Sequence, residues 1–388
     1  MTLLRHTSVI SGLLLMAAAT CFAGDYDAQS MAMGGVGIAS TGMRDGALRN
    51  PALAAYYNKN EYLSVDAFAG LIAADDKDVL DNADDSADLL NALNGQIPTA
   101  AEADELASLL LEMDQATFRY DGGAGLQVTL INKAWSLVFF AQSHLSLGGT
   151  AIVDDADIQY LIDASDNSTA IDKNDLNSLF VALGAEIYDV GISLAGRHRV
   201  SEDVDFSFGF SPKWQTLETY HYVTPLADFN SSDYDANDYT SDESTFNADV
   251  GVYGRFGQHW KVGAVIRDVF QHDFQTVFDE TITINPKYTL GGAYQNHWVT
   301  AEIDVDLRQY QDLVTRSDVQ LFRAGIQFRP WDWLQLRLGY REDIQNELES
   351  TFSAGFGISP YDFFNIDLAV LSGDGGTLGG ALQIGVYF

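Results

Sequence analysis

Residues Leu378 to Phe388, with the sequence LGGALQIGVYF, close the chain and carry apolar side chains on alternate positions. On an extended strand one face would hold Leu382, Ile384, Val386 and Phe388, and the opposite face Ala381, Gln383, Gly385 and Tyr387. A period of two indicates a β-strand. Because lipid offers the backbone no hydrogen-bond partners, strands cross a membrane only in a closed barrel. A chain that begins with an export signal and ends on such a strand predicts a bacterial outer-membrane β-barrel.

Residues 1–23 have the features of a signal peptide. Arg5 gives a basic start, Val9 to Ala19 form an apolar stretch, and a plausible cleavage point precedes Gly24. We expect export through the periplasm to the bacterial outer membrane. Cleavage would also remove Cys21, the single cysteine, so the mature fold would have neither a disulfide nor a thiolate metal site.

Composition and charge narrow the class of protein. After residue 23 no apolar run approaches the ~20 residues that a membrane helix needs. The 34 Gly, 22 Phe, 18 Tyr and 6 Trp among 388 residues favour strands. The formal net charge of −34, from 55 acidic and 21 basic residues, argues against nucleic acid as a partner. We interpret the acidic clusters at 75–88 and 154–175 as solvated loops.

Fourteen segments alternate in this way, and most are about ten residues long, as a tilted membrane strand requires. Strands of soluble proteins average only ~5–6 residues. The sequence therefore predicts an all-β fold, a transmembrane antiparallel barrel with strands at 61–71, 118–131, 134–147, 184–199, 203–218, 246–257, 259–269, 286–295, 298–309, 318–329, 332–342, 351–359, 362–371 and 377–388.

Short and long connections alternate between these segments. Turns of a few residues, such as 257–258 and 296–297, alternate with connections of more than thirty residues at 72–117 and 148–183. This pattern predicts tight periplasmic turns and long outer loops, and an even strand number places both termini in the periplasm. We assign 275–283 to a loop, since a fifteenth strand would break that parity.

The two longest connections have helical rather than strand-like spacing. Leucines predict two short helices around Pro98 within 88–113, and a further helix is predicted within 175–183. These helices would lie over the barrel mouth, rest in the outer leaflet or fold onto themselves.

Bulky aromatic residues directly follow the short turns. They are Trp135, Trp260, Trp298, Trp333 and Phe363. Because these turns share one end of the cylinder, we predict an aromatic girdle at the inner lipid interface, with outer-membrane lipid as a partner. The alternative, a soluble core, does not predict tryptophan beside every second turn.

The segment before the first strand is too rich in small residues to be a strand. It reads SMAMGGVGIAS from Ser30 to Ser40 and ALRNPALA from Ala47 to Ala54. Glycine lets one backbone pass close to another, and Asn-Pro favours a turn. We predict a plug inside the barrel over 24–60, with a flexible periplasmic tail as the alternative.

This segment resembles the N-terminal hatch of a known family. Ala32 to Ala39, followed by Asn50-Pro51-Ala52-Leu53, is similar to the FadL-type long-chain fatty-acid transporters and more so to their TraF-like plasmid-transfer relatives. The resemblance covers the chain directly only up to residue 60. It implies a hatch that lies in the lumen of a barrel over 61–388. In that family the hatch shifts when ligand binds, and an opening in the barrel wall releases the ligand sideways. Carried over, the hatch and gate positions would be Gly34, Gly35, Gly37, Asn50 and Pro51.

Strands near the C-terminus carry charges on their presumed inward rows. These residues are Glu302, Asp304, Asp306, Arg308, Arg323, Arg329, Arg337 and Arg341. Counting back across the 310–317 loop predicts that Asp304 lies opposite Arg323, so acidic and basic side chains of neighbouring strands would face each other. A fatty-acid pocket calls for a more apolar lining. The charges would either stabilise wall and plug or select a ligand.

Catalytic motifs are missing from the sequence. The seven histidines are scattered, and no H-E-x-x-H, G-x-S-x-G or P-loop spacing occurs. We expect neither an enzyme nor a metal or cofactor site. The leading hypothesis is passive transport of a small hydrophobic or amphipathic ligand, with the hatch as gate. The alternative is a structural component of a conjugal-transfer or envelope assembly, in which partner proteins bind a permanently plugged barrel. A lipid-modifying enzyme ranks third, because no nucleophile–base pair supports it.

Overall fold

Fourteen antiparallel strands close into one barrel in the computed structural model, which describes residues 26–40, 43–56, 62–114, 116–131, 136–230, 240–275, 281–312, 317–361 and 363–388. The first and last barrel strands pair from Ser64 with Tyr387 to Ala73 with Leu378, and this pairing closes the cylinder. The fold class and the strand number are therefore confirmed. The proposed signal peptide lies outside the described residues.

Each of the fourteen predicted segments overlaps one barrel strand. The strands are β1 (Leu63–Asp75), β2 (Thr117–Ile131), β3 (Ser136–Ile152), β4 (Leu179–Arg199), β5 (Val204–Pro225), β6 (Thr240–Phe256), β7 (Trp260–Arg267), β8 (His272–Gln275), β9 (Thr281–Ile284), β10 (Lys287–Gln295), β11 (Val299–Asp306), β12 (Tyr310–Gln311), β13 (Asp318–Val319), β14 (Leu321–Trp331), β15 (Leu334–Asp343), β16 (Thr351–Tyr361), β17 (Phe364–Gly373) and β18 (Leu378–Tyr387). The pairs β8–β9 and β12–β13 form two small sheets that are separate from the barrel sheet.

Alternation along the strands separates a polar inner row from an apolar outer row. On β5, Ser207 and Ser211 are buried, whereas Phe208, Phe210 and Trp214 are exposed on the outer face. The inner row of this barrel is polar because it faces the lumen, and the outer row is apolar because it faces acyl chains. A soluble sandwich would have the opposite arrangement, with its large apolar side chains buried.

The helices are short and lie at two places. They are α1 (Ala28–Met31), α2 (Met43–Arg49), α3 (Val79–Leu93), α4 (Ala100–Met113) and α5 (Asp155–Asp166), with 3-10 turns at Pro51–Ala55, Asp76–Asp78, Lys173–Asp175 and Leu226–Asp228. The two predicted helices around Pro98 are confirmed as α3 and α4. The helix predicted within 175–183 is wrong, because β4 already begins at Leu179. The third helix of the outer loops is α5, which the side chain of Asp154 caps by accepting from the Ala156 amide at 2.9 Å. No helix among the described residues is long and apolar enough to cross a membrane.

Helices α3 to α5 cover the outer face of strands that extend beyond the membrane. Strands β4 and β5 have 21 and 22 residues, about twice the length that a span requires. Phe118 of β2 and Phe180 of β4 lie on the outward rows of these extensions and pack with Leu90, Leu110 and Leu161 of the helices. Apolar rows above the lipid need another cover, so the helices lie against the wall rather than over the mouth.

Segment 275–283, predicted to be a loop, contributes strand β9 to a separate hairpin. Phe274, Ile282 and Ile284 of this hairpin are buried against Ala185 and Leu217. Those two wall residues share the inward rows of β4 and β5 with Asp189 and Lys213. The hairpin therefore folds over one side of the barrel mouth, and the even number of barrel strands is kept.

Candidate functional site

The small-residue segment before β1 lies inside the barrel. Residues 26–40 and 43–56 contribute α1, α2 and the turn Pro51–Ala55, and we call these residues the hatch. Ala28, Ala32, Ala39, Asn50 and Ala52 are completely buried against the barrel wall. This arrangement excludes a free periplasmic tail for the described part of the segment.

Two glycines reverse the hatch backbone after α1. Gly34 and Gly35 have φ angles of +74° and +89°, a region that residues with a Cβ rarely adopt. The Gly35 amide donates to the Ser30 carbonyl at 2.9 Å, and the Ser30 hydroxyl donates to the Val36 carbonyl at 2.7 Å. The glycine pair thus forms a closed turn within the lumen.

Two carboxylates of β11 hold hatch residues 37–40, which follow this turn. Asp304 Oδ2 accepts from the Gly37 amide at 2.8 Å and from the Ile38 amide at 3.1 Å. Glu302 Oε1 accepts from the amides of Ala39 at 2.5 Å and Ser40 at 3.2 Å. Hydrogen bonds from amides to a carboxylate are stronger than those between neutral groups. Four successive hatch amides are therefore fixed to one strand of the wall.

Asn50 joins the two halves of the hatch to β6. Its side-chain amide donates to the carbonyls of Ile38 at 3.0 Å and Val252 at 3.1 Å. Its side-chain oxygen accepts from the Ala52 amide at 3.1 Å and so caps the turn that Pro51 begins. Tyr56 at the end of this turn donates to Asp205, and burial together with that carboxylate raises the pKa of the tyrosine.

The barrel wall meets the hatch through glycines. A methyl group at any of nine wall positions would overlap a hatch atom or crowd it below contact distance. These positions are Gly70, Gly123, Gly209, Gly251, Gly263, Gly291, Gly325, Gly339 and Gly355. They come from nine different strands. In the sequence each of them looks like any other glycine within a strand. Only the closed barrel brings them to one ring around the hatch.

The predicted charged rows are divided among different tasks. Asp304 does lie opposite Arg323, but Arg323 contacts Asp306 at 3.1 Å, while Asp304 holds the hatch. Arg337 is buried and binds Asp367 at 2.6 Å. Arg329 is half-buried near the short-turn end of β14. Arg341 faces a cavity above the hatch.

Arg308 does not belong to a luminal row, contrary to the prediction. It lies beyond the end of β11, is exposed and stands 5.2 Å from the centre of the Tyr288 ring. Tyr288 alternates with Thr289, which faces inward, so Arg308 reaches toward the outer wall. The strand ends at Asp306, and the period-two alternation ends with it.

The aromatic residues beside the short turns point away from the lumen. Trp260, Trp298, Trp333 and Phe363 are all exposed on the outer surface, at the end of the barrel where β18 ends. Their role as a girdle at the lipid interface stays a prediction, and Trp135 lies outside the described residues.

A cavity of about 550 Å³ lies in the lumen above the hatch. Hatch residue Tyr26 borders it and contacts His144 at 3.2 Å. Arg119 on its wall binds Asp121 at 2.5 Å and Asp312 at 2.7 Å. The lining mixes charged side chains with apolar ones such as Ile72 and Leu183.

A buried lysine cluster on the inner wall escaped the sequence analysis. Lys213 Nζ lies 2.9 Å from Asp189, 3.1 Å from Asp249 and 2.8 Å from Asp268. These carboxylates come from β4, β6 and the end of β7, so sequence distance hides the cluster. The one indication of this cluster in the sequence is that Lys213 and Asp249 occupy positions that alternate toward the lumen. Among the described residues no group of three or more His, Cys, Asp or Glu is arranged to hold a metal ion.

Comparisons with known proteins agree with this architecture. A family model described as "F plasmid transfer operon, TraF, protein" matches residues 47–306. No curated protein sequence matches the chain.

Several solved structures share the fold. A TodX deltaS2S3 mutant, a monoaromatic hydrocarbon channel, is 13% identical with a TM-score of 0.55, over 94% of this chain and 99% of that one. The monoaromatic hydrocarbon channel CymD is 10% identical with a TM-score of 0.54, over 94% and 97%. A Pseudomonas aeruginosa FadL homologue is 9% identical with a TM-score of 0.54, over 95% and 99%. Identities this low show a shared fold, that of FadL-type outer-membrane barrels.

Proposed function

The chain belongs to the family of F plasmid transfer operon TraF proteins, and from this premise we propose that it lets a small amphipathic molecule cross the outer membrane passively. In this proposal the hatch is the gate, and residues 1–23 direct export before they are removed. The FadL-type fold supports transport, because two of the solved barrels that share it are described as hydrocarbon channels.

The cavity above the hatch is the observation that carries the proposal. It offers about 550 Å³ for a ligand directly against hatch residue Tyr26, which is within the range of small-molecule sites. The contacts described between hatch and wall are hydrogen bonds and packing. A shift of residues 37–40 away from Glu302 and Asp304 would break four amide hydrogen bonds and open a path past the hatch.

A permanently plugged barrel with a structural or partner-binding role is the second candidate. The ring of nine glycines favours it, because backbone packed this closely has little room to move. The family's name is drawn from plasmid transfer, and partner proteins of an envelope or transfer assembly would bind such a barrel. The name alone does not establish a part in conjugation.

Transport by purified protein in liposomes separates these two candidates. We would compare the wild type with the double variant Glu302→Gln, Asp304→Asn for uptake of a small aromatic solute. Weakened hatch contacts should raise uptake severalfold if the hatch is a gate. Asp343→Asn is the matched control, because this buried carboxylate accepts from loop amides, Gln320 at 2.8 Å and Glu347 at 2.9 Å, rather than from the hatch. If wild type and double variant both exclude every solute while remaining folded, transport is wrong and the plugged barrel stands.

A further inference from the structure

We propose that a strap of chain crosses the outer mouth of the barrel and limits the size of the molecules that enter the lumen from outside. The strap consists of residues 310–312 and 317–319, which contain β12 and β13 in the connection from β11 to β14. The ion pair between Asp312 and Arg119 fastens it to the far wall. This inference rests on the proposed transport function, because it names the property by which the same lumen would select its molecules.

The strap leaves one wall of the barrel and reaches the opposite wall. Around the ring of fourteen strands, β11 and β2 are seven strands apart. With about 4.8 Å between neighbouring strands and the usual tilt, opposite walls are roughly 25–30 Å apart. Asp312 follows Asp306, the last residue of β11, by six positions, and six extended residues span at most about 20 Å. The chain therefore runs across the mouth, and the long side chain of Arg119 covers the remaining distance.

Two short strands give the strap a defined shape. β12 and β13 pair with each other, and the Asp312 amide donates to the Ser317 carbonyl at 2.9 Å. Lys287 Nζ of β10 lies 4.1 Å from the centre of the Tyr310 ring, a cation–π contact. Val319 of the second arm is completely buried. The strap is therefore a supported double strand rather than a single loose chain.

A bidentate ion pair fastens the strap to β2. Arg119 Nη1 and Nη2 donate to the two carboxylate oxygens of Asp312 at 3.1 and 2.7 Å. The Nε of the same arginine donates to Asp121 at 2.5 Å, and Ser146 of β3 donates to Asp121 at 2.6 Å. Only 18% of the Arg119 side chain and 10% of the Asp312 side chain are exposed, so water competes little with this pair. Asp121 already balances the charge of Arg119 within β2, and the second carboxylate therefore serves to hold the strap.

The strap and the hairpin of β8 and β9 cover different parts of the mouth. Tyr310, Gln311 and Asp312 border the cavity above the hatch, whereas the hairpin packs over Ala185 and Leu217 on another side. A molecule that enters from outside has to use the opening that remains. A small solute would pass beside the strap, whereas a bulky one would require Asp312 to leave Arg119.

Thiol labelling inside the lumen tests this size limit. Ile72→Cys places a thiol on the cavity wall, where the isoleucine is 6% exposed. Cys21, the single native cysteine, lies in the proposed signal peptide. Outer-membrane vesicles present the outer loops to two methanethiosulfonate reagents, one with a small ethylammonium group and one with a bulky biotin–polyethylene glycol group. After correction for their rates with free cysteine, we expect the bulky reagent to label at least tenfold more slowly.

Variants of the ion pair should remove this discrimination. Asp312→Asn and Arg119→Gln should each raise the rate of the bulky reagent about fivefold or more and leave that of the small reagent within about twofold. The charge swap Arg119→Asp, Asp312→Arg should restore part of the difference. Asp318→Asn is the matched control, because it removes an exposed carboxylate from the other arm of the strap and should change neither rate. Heat-modifiable migration in gels verifies that each variant is folded.

Three results would overturn the proposal. Equal labelling by both reagents in the wild type would show that no size limit exists. Labelling by neither reagent would mean a closed mouth, and folded variants that discriminate like the wild type would show that this ion pair does not fasten the strap.

Failure of the proposed transport is recognised separately, because labelling requires entry into the lumen but no passage past the hatch. Size discrimination in labelling without any uptake into liposomes contradicts transport and keeps the strap. Uptake that is equally fast for small and bulky solutes keeps transport and contradicts the strap.

Discussion

Asp304 and Arg323 lie directly opposite each other on β11 and β14, and the two side chains serve different partners. The Asp304 carboxylate accepts from the Gly37 and Ile38 amides of the hatch. The Arg323 guanidinium contacts Asp306, which lies on β11 two residues after Asp304. The acidic row of β11 therefore both fastens the hatch and balances the charge of Arg323.

Loss of the Asp304 charge should loosen one part of the hatch. Hydrogen bonds to charged groups contribute about 1.5–3 kcal/mol, so Asp304→Asn should speed amide hydrogen exchange at Gly37 and Ile38 by roughly ten- to a hundredfold. Asp306→Asn is the control, because Asp306 binds Arg323 and Thr289 rather than the hatch. Equal exchange in wild type and Asp304→Asn would show that these bonds do not hold the hatch.

Wall glycines should tolerate alanine only where the hatch is not in contact. An added methyl at Gly339 would overlap the backbone of Gly34, whereas Gly292 on β10 has open space around it. Gly339→Ala should destabilise the folded barrel by about 1–3 kcal/mol, the usual cost of overpacking. Gly292→Ala should change stability little. Urea unfolding in lipid measures both, and similar values for the two variants would contradict the close fit.

The buried pair of Arg337 and Asp367 should be costly to break on one side. Arg337 Nη1 lies 2.6 Å from Asp367, and its Nε donates to Gln327 at 2.9 Å. Removing one partner of a buried ion pair typically costs 3–5 kcal/mol, since the other charge stays buried. We expect that loss for Arg337→Met in equilibrium unfolding, with most of it recovered in Arg337→Met, Asp367→Leu. A double variant as unstable as the single one would contradict this explanation.

A charge on the outer wall should be costly in proportion to its depth in the membrane. Phe210 lies on the outward row of β5, six residues from the short-turn end of the strand, and is exposed, whereas Trp260 is exposed as the first residue of β7 beside a short turn. Arginine costs about 2–4 kcal/mol at the bilayer midplane and about 0–1 kcal/mol near the interface. Phe210→Arg should therefore destabilise the barrel much more than Trp260→Arg. The reverse order would contradict the assignment of the lipid-facing band.

The N-terminus of α4 should respond to mutation and to acid. Thr99 and Glu102 form a capping box, and the hydrogen bonds from the Thr99 amide and hydroxyl lower the pKa of the exposed Glu102. A lowered pKa means that this contribution is present above the unfolded pKa, about 4.3, and is lost as pH falls through the folded value. Thr99→Ala should raise hydrogen exchange in the first turn about fivefold at neutral pH. The wild type should lose the same protection below pH 4, and α3 provides an internal reference.

Local pattern was enough to predict most of the barrel. A membrane strand must be about ten residues long and must alternate between lipid and lumen, so segments such as 203–218 and 298–309 show both properties in the sequence. The hatch segment also stood out, because its small residues and Asn50-Pro51 fit neither a strand nor a long helix. The additional length of β4 and β5 was less visible, since an outward row covered by helices has the same alternation as one covered by lipid.

The sequence by itself determined a closed sheet of fourteen strands, a polar lumen and a separate segment to fill it, because each of these depends on periodicity and composition within one stretch of chain. Tertiary structure alone decided which side chains share a site. Lys213 meets one aspartate from β4, one from β6 and one directly after β7, nine glycines from nine strands surround the hatch, and Arg267 faces Lys287. Such groups form only when strand register and barrel closure bring distant residues to the same height, and no local pattern encodes that height.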